Sequence, residues 1–279
     1  MVEVKLIIKQ LADANDKETK VKLISQLGSL GDEDAIRILI RSLNHEEDIE
    51  IKSHAADALT KIGGKQTTFL LLRSLKNHSW VTRMKAAEIL GELHSRLALL
   101  PLVKLLKNDP ETSVREWSVI SLGKIGDKKA VKPLITALAK DPNWEVRMES
   151  AIALGSIGGK KAKNSLIKAF YSDSVYRVSW ASASALAMIN DGNSKKLIKE
   201  LTSELTKILQ TEKDETVLSA AAKTLGEIGN EIAAKTMLIT MKVSKELVRL
   251  EINLALGRMA KRFNYKNKEE FIKNIQVNN

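Results

Sequence analysis

A six-residue phrase recurs eight times along this 279-residue chain, and its spacing leaves few folds open. It reads LGSLGD at 27–32, LTKIGG at 59–64, LGELHS at 90–95, LGKIGD at 122–127, LGSIGG at 154–159, LAMIND at 186–191, LGEIGN at 225–230 and LGRMAK at 256–261. The leading leucines lie 32, 31, 32, 32, 32, 39 and 31 residues apart. That period belongs to stacked two-helix units, each of which buries its apolar face only against its neighbours. All fourteen glycines fall in the phrase or directly beside it. The expectation is an all-α solenoid of eight two-helix repeats.

Between phrases lie two apolar segments of helical spacing separated by polar punctuation. In the fourth repeat they run from Leu97 to Lys107 and from Ser113 to Ile125. Asn108-Asp109-Pro110 turns the chain between them, as Lys140-Asp141-Pro142 does one repeat later, because proline ends one helix without disturbing the next. Gly126 and Gly158 suit left-handed C-terminal caps. Repeat seven carries seven extra residues in its first helix, close to two helical turns, so Leu201, Leu205, Ile208 and Leu209 stay in register. The reading is one solenoid over residues 1–262 followed by a capping tail, 263–279, whose Phe263, Tyr265, Phe271 and Ile272 are expected to cover Leu247, Leu250 and Leu254 of the last repeat.

Composition narrows the chemistry. There is no cysteine, which removes disulfides, thiolate metal sites and cysteine nucleophiles together. The four histidines, His45, His54, His78 and His94, have no metal-ligand spacing, and the phrase glycines follow helices rather than strands, so no dinucleotide or phosphate loop is present. The chain is read as cytoplasmic, without catalytic, metal or cofactor residues and without membrane insertion, since lysines and acids interrupt the apolar runs of its first residues.

Numbering each second helix from its phrase leucine as zero sorts two faces. Position −8 (Thr19, Ile51, Thr82, Val114, Val146, Val178, Val217, Val248), position +3 and the small residues at −4, −3 and −1 form the packing stripe. Positions −10, −9, −6, −5, −2 and +2 point the other way. All four tryptophans fall there: Trp80 and Trp144 at −10, where Tyr176 joins them, Trp117 at −5 and Trp180 at −6.

The phrase and its approach, Asp109…Val114-Arg115…Leu122-Gly123-Lys124-Ile125-Gly126-Asp127, repeated as Asp141…Val146-Arg147…Leu154-Gly155-Ser156-Ile157-Gly158, resemble HEAT repeats of the phycobilisome-lyase type. The resemblance covers about 260 residues. It implies a right-handed superhelix with second helices lining the concave surface, and a role as a scaffold or as a lyase or lyase subunit handling a tetrapyrrole. The iron hydroxylases built on related repeats carry several His-Glu pairs; this chain has only His45-Glu46, which speaks against that activity. The resemblance further implies that the basic column at −7 (Lys20, Lys52, Arg83, Arg115, Arg147, Arg249) is an internal ladder to Glu46, Asn77, Asp109, Asp141 and Asp173, not a phosphate track.

The net charge of +11 is located elsewhere. The expected concave face carries eight basic and twelve acidic residues, which disfavours nucleic acid in the groove. Lys128, Lys129, Lys160, Lys161, Lys195 and Lys196 follow consecutive second helices and form a basic rim, either solvated lysines suited to helix C-termini or a contact for an acidic partner, with nucleic acid as a further alternative. The tryptophans, with Val81, Met84, Ile120, Met148, Ile152 and Met188 beside them and Arg177 among them, give the strongest functional signal. Aromatics and methionines ringed by acids match a protein-binding hot spot. The function expected is a non-catalytic scaffold that binds a protein or peptide through Trp80, Met84, Trp117, Trp144, Met148, Tyr176, Arg177, Trp180 and Met188, with Trp144, Tyr176 and Trp180 crowded together.

Overall fold

The structure, a computed structural model, describes residues 2–189 and 192–277, with the side chains of Val2, residues 192–195, Leu197 and Val277 outside the described set. Among the described residues there are seventeen α-helices and no strand. The fold is an all-α solenoid of helix pairs, divided into two compact units at residues 137 and 138.

The first unit holds α1 (Val2–Asp13), α2 (Lys17–Leu30), α3 (Glu33–His45), α4 (Ile49–Ile62), α5 (Gly64–Ser74), α6 (Trp80–Glu92), α7 (Leu99–Asn108) and α8 (Thr112–Ile125), with α9 (Val131–Lys140) running across the division. The second holds α10 (Trp144–Ile157), α11 (Lys160–Ser172), α12 (Tyr176–Met188), α13 (Gly192–Thr211), α14 (Glu215–Ile228), α15 (Glu231–Val243), α16 (Glu246–Arg262) and α17 (Lys268–Val277). Even-numbered helices up to α16 are the second helices of the repeats. Side-chain oxygens of Asp16, Asp48, Asn143 and Asp214 accept the orphan backbone N–H groups that open four of them. Gly126 closes α8 in the left-handed region at φ 69°, and His94 takes the same region at φ 48° where its repeat lacks the glycine.

The phrase leucines Leu27, Leu59, Leu90, Leu122, Leu154, Leu186, Leu225 and Leu256 are fully buried. Most of position −8 is buried beside them, Thr19 being the exposed exception. α17 lies on α15 and α16, with Phe271 fully buried and its ring 5.7 Å from Phe263 and 5.2 Å from Tyr265. It does not cover what the sequence suggested. Leu247, Leu250 and Leu254 stay 57%, 58% and 51% exposed, because they lie on the face the second helices share while α17 packs on the other flank of α16.

Neighbouring second helices approach unequally. α2 and α4, α6 and α8, α10 and α12, and α14 and α16 pack closely, whereas α4 and α6, and α12 and α14, pack less closely. The close junctions pair a phrase glycine with a small residue in the next repeat. A Cβ added to Gly155 would stand 2.8 Å from Ala185 Cα, on Gly91 2.7 Å from Ser121 Cα, on Gly226 2.9 Å from Ala255 Cα and on Gly28 2.6 Å from Ala58 Cβ. No side chain fits at such distances. At the same register positions the looser junctions carry Thr60 with Ile89, and Ala187 with Thr224.

The ladder follows a related pattern. Arg83 donates to both carboxylate oxygens of Asp109 at 2.7 and 2.8 Å and to the carbonyls of Asn77 and His78. Arg147 holds Asp173 at 2.8 and 3.0 Å and the carbonyls of Asp141 and Pro142 in the same way. Each acid also accepts the backbone N–H two residues on, from Glu111 and Val175, so one carboxylate fixes a turn and a rung. Lys20 reaches Glu46 at 3.3 Å. At the looser junctions the rung is missing. Asn77 stands in the acid's column, and Lys52, only 3% exposed, donates instead to Leu43 O and Thr82 Oγ1. Burial pushes its ammonium below the ordinary value of 10.5. At α12, Ser179 occupies the arginine column.

Candidate functional site

Trp80, Trp144 and Tyr176 are the first residues of α6, α10 and α12, where an N-terminal side chain reaches past the helix end toward the neighbouring repeat. Trp80 is 40% and Tyr176 36% exposed, while Trp117, Trp144, Trp180, Met84 and Met148 are half-buried. Val81 is buried at 6% and belongs to the core, not to the open face. Met188, 56% exposed, ends α12. Trp80, Met84 and Trp117 belong to the first unit and the other six residues to the second.

The structure does not stack Trp144, Tyr176 and Trp180 on one another; among the described residues no two of these rings pair. Each tryptophan of the second unit faces a cation. The guanidinium of Arg177 lies 5.1 Å from the Trp144 ring and donates to Tyr176 Oη at 3.3 Å, and Lys223 Nζ lies 4.0 Å from the Trp180 ring. In the first unit Lys124 stands 5.9 Å from Trp117 while pairing with Glu92 at 2.5 Å. A cation over an indole contributes about 0.5–1 kcal/mol at exposed sites. Trp144, Tyr176 and Trp180 thus lie beside Arg177 and Lys223, without ring-on-ring pairs among the described residues.

Trp180 stands at the loose junction between α12 and α14. A cavity of about 550 Å³ opens on one side, lined by Met148, Ile152, Tyr176, Arg177, Trp180 and Lys223, and reaches Leu247 and Glu251 of α16. A smaller one of about 340 Å³, between Tyr171, Leu205 and Ile208, opens on the other. Trp180 lines both, and its buried Nε1 has no hydrogen-bond partner; nor has the buried Oγ of Ser219, which lines the larger cavity. Orphaned donors of this kind cost about 1–3 kcal/mol each unless a ligand or water satisfies them. The geometry offers a largely apolar slot with two cations at its wall, bordered by an indole whose buried N–H has no partner. The sequence names its ring residues and places Ile152 beside them; Lys223 and Leu247 as wall partners it does not give, although the leucines at −9, −6 and −2 of the last repeat are visible as an apolar stripe.

The chain is matched to the model of HEAT repeats over residues 4–91, 45–122 and 99–187. The chain belongs to the HEAT-repeat family. Among solved HEAT-like structures it is similar to the Kap95:Nup1 complex (13% identity, TM-score 0.65, 92% of this chain and 42% of that one). It is also similar to Escherichia coli YibA (18%, 0.56, 92% of each chain). To the complex of CpcE and CpcF of phycocyanin lyase from Nostoc sp. PCC7120 it is 20% identical with a TM-score of 0.47, over 86% of this chain and 94% of that one. At these identities the likeness is one of fold. No curated protein matches it at significant similarity.

None of the described lysines of the expected basic rim lines the slot. Lys128 and Lys129 are exposed in a 3₁₀ turn, Lys160 and Lys161 in the first turn of α11, and Lys196 in α13 beside Glu200 at 4.0 Å; the side chain of Lys195 lies outside the described residues. Lys160 and Lys161 follow the C-terminus of α10 and also open α11, whose own dipole opposes them. Among the described residues no helix is long and apolar enough to cross a membrane, and no group of three His, Asp or Glu is placed to hold a metal.

Proposed function

We propose that the chain is a protein-interaction scaffold whose second unit takes an apolar side chain of a partner peptide into the slot beside Trp180. The observation that carries this reading is the combination, on one 550 Å³ cavity, of a half-buried indole with an unpaired N–H and apolar walls that lead onto the exposed Leu247. Indole anchors at the centre of such a face dominate binding energy, and the exposed leucines around it supply area. Arg177 and Lys223 orient the partner's carbonyls or carboxylates. Trp80, Met84 and Trp117 form a companion surface in the first unit. The complex of Kap95 with Nup1, a solenoid of similar fold together with a protein partner, supports this reading. A role for Lys128, Lys129, Lys160, Lys161 and Lys196 toward an acidic partner is favoured by the placement of Lys160 and Lys161 against the helix dipole.

Peptides selected from a random display library against the intact chain test the proposal. Trp180→Ala should weaken the selected peptides by at least about 1.4 kcal/mol, tenfold in affinity. Its orphaned donor and two flanking cavities predict only a modest loss of stability. Equal binding to both proteins would remove the slot as the site.

A further inference from the structure

The first helices of the repeats present a second surface that the slot beside Trp180 does not involve. α3 packs on α5 and α13 on α15, whereas α5 and α7 stand apart across a cavity of about 930 Å³. Leu72, Leu75 and Leu105 line it, and Phe69 and Leu100 stand at its lips 57% and 74% exposed. Large apolar side chains left this open mark contact surfaces in soluble proteins. The charge on the lips has one sign. Arg73, Lys76 and Lys104 line the cavity, are exposed, and make no ion pair among the described residues. The only acid in the lining, Asp109, is held by both nitrogens of Arg83.

We propose that the cleft between α5 and α7 docks an amphipathic helix of a partner protein, apolar along one stripe and acidic on both flanks. α5 and α7 do not pack closely on one another, and a helix laid between them covers Leu72, Leu75 and Leu105 together with Phe69 and Leu100 at the lips. The walls, eleven and ten residues long, span roughly 15 Å at 1.5 Å per residue, enough for anchors at i, i+4 and i+7. An acidic flank neutralises Arg73, Lys76 and Lys104, whereas a basic helix of the same shape meets like charge.

Fluorescence anisotropy on the intact chain, with labelled peptides of about twelve residues, tests this. One peptide carries leucines at i, i+4 and i+7 with glutamates on the flanks, a second replaces the glutamates by lysines, and a third scrambles the first. The glutamate peptide should bind at least tenfold more tightly than either control. The triple variant Arg73→Glu, Lys76→Glu, Lys104→Glu, built on exposed side chains and checked for an unchanged Tm, should reverse the preference toward the lysine peptide. Failure of the glutamate peptide to bind, equal binding of the scrambled peptide, or a preference untouched by the charge reversal overturns the proposal.

Discussion

In the second unit the junction between α10 and α12 is closed and the one between α12 and α14 is open, though both are built from the same repeat. The closed junction has Gly155 against Ala185 and the rung from Arg147 to Asp173. At the open one Ala187 and Thr224 hold the glycine and small-residue positions and Ser179 holds the arginine position. The junction between α4 and α6 in the first unit repeats the lesson with Thr60, Ile89 and Asn77. α14 and α16 close through Gly226 and Ala255, although Leu218 occupies the arginine column. Close backbone approach is therefore the decisive element and the rung an addition to it. Where both are absent the phrase leucine stays buried, and at α12 and α14 a cavity opens beside Trp180.

Breaking the closed junction gives the largest effect. Arg147→Ala strands the 9%-exposed carboxylate of Asp173 and the carbonyls of Asp141 and Pro142, and should lower stability by about 2–4 kcal/mol in denaturant melts. A melt within about 0.5 kcal/mol of the parent would show the rung to be ornamental. Gly155→Ala comes next. Its Cβ would meet the Ala185 backbone, so overpacking should outweigh the gain in helix propensity and leave a net loss of about 1–2 kcal/mol. A stabilised variant would place the cause of closure elsewhere.

The smallest effect sharpens the comparison in the first unit. The folded-state pKa of Lys52 is depressed by burial, so the unfolded chain binds more protons just below 10.5 and stability rises with pH across that window. Expressed the other way, the contribution is present above 10.5 and is lost as pH falls through the folded value. Lys52→Met should flatten this slope in the window just below pH 10.5. Identical slopes for parent and variant would show that Lys52 titrates normally.

Much of this was legible beforehand. The 32-residue register names every second helix, and the resemblance to HEAT repeats implies the ladder in which Arg83 and Arg147 reach acids. What escaped was relational. Gly155 and its counterparts were read through their place at the helix end, so the pairing of Gly155 with Ala185 thirty residues later, and its absence at Ala187 and Thr224, went unused. Arg177 stands 33 residues beyond Trp144, and Lys223 stands 43 beyond Trp180 because of the longer first helix in repeat seven. A shared column suggests that the aromatic residues crowd together; only the packed structure shows a cation from the next repeat over Trp144 and over Trp180.

The central claim is that the slot exists because Ala187 and Thr224 hold α12 and α14 apart. In a chain whose Trp80, Trp117 and Trp144 are replaced by phenylalanine, Trp180 alone reports on that junction through quenching of its fluorescence by acrylamide. Installing the closed-junction pair, Ala187→Gly with Thr224→Ala, should lower the quenching constant toward that of a buried indole as the helices approach. An unchanged constant, with the variant folded as well as its parent, would contradict the account.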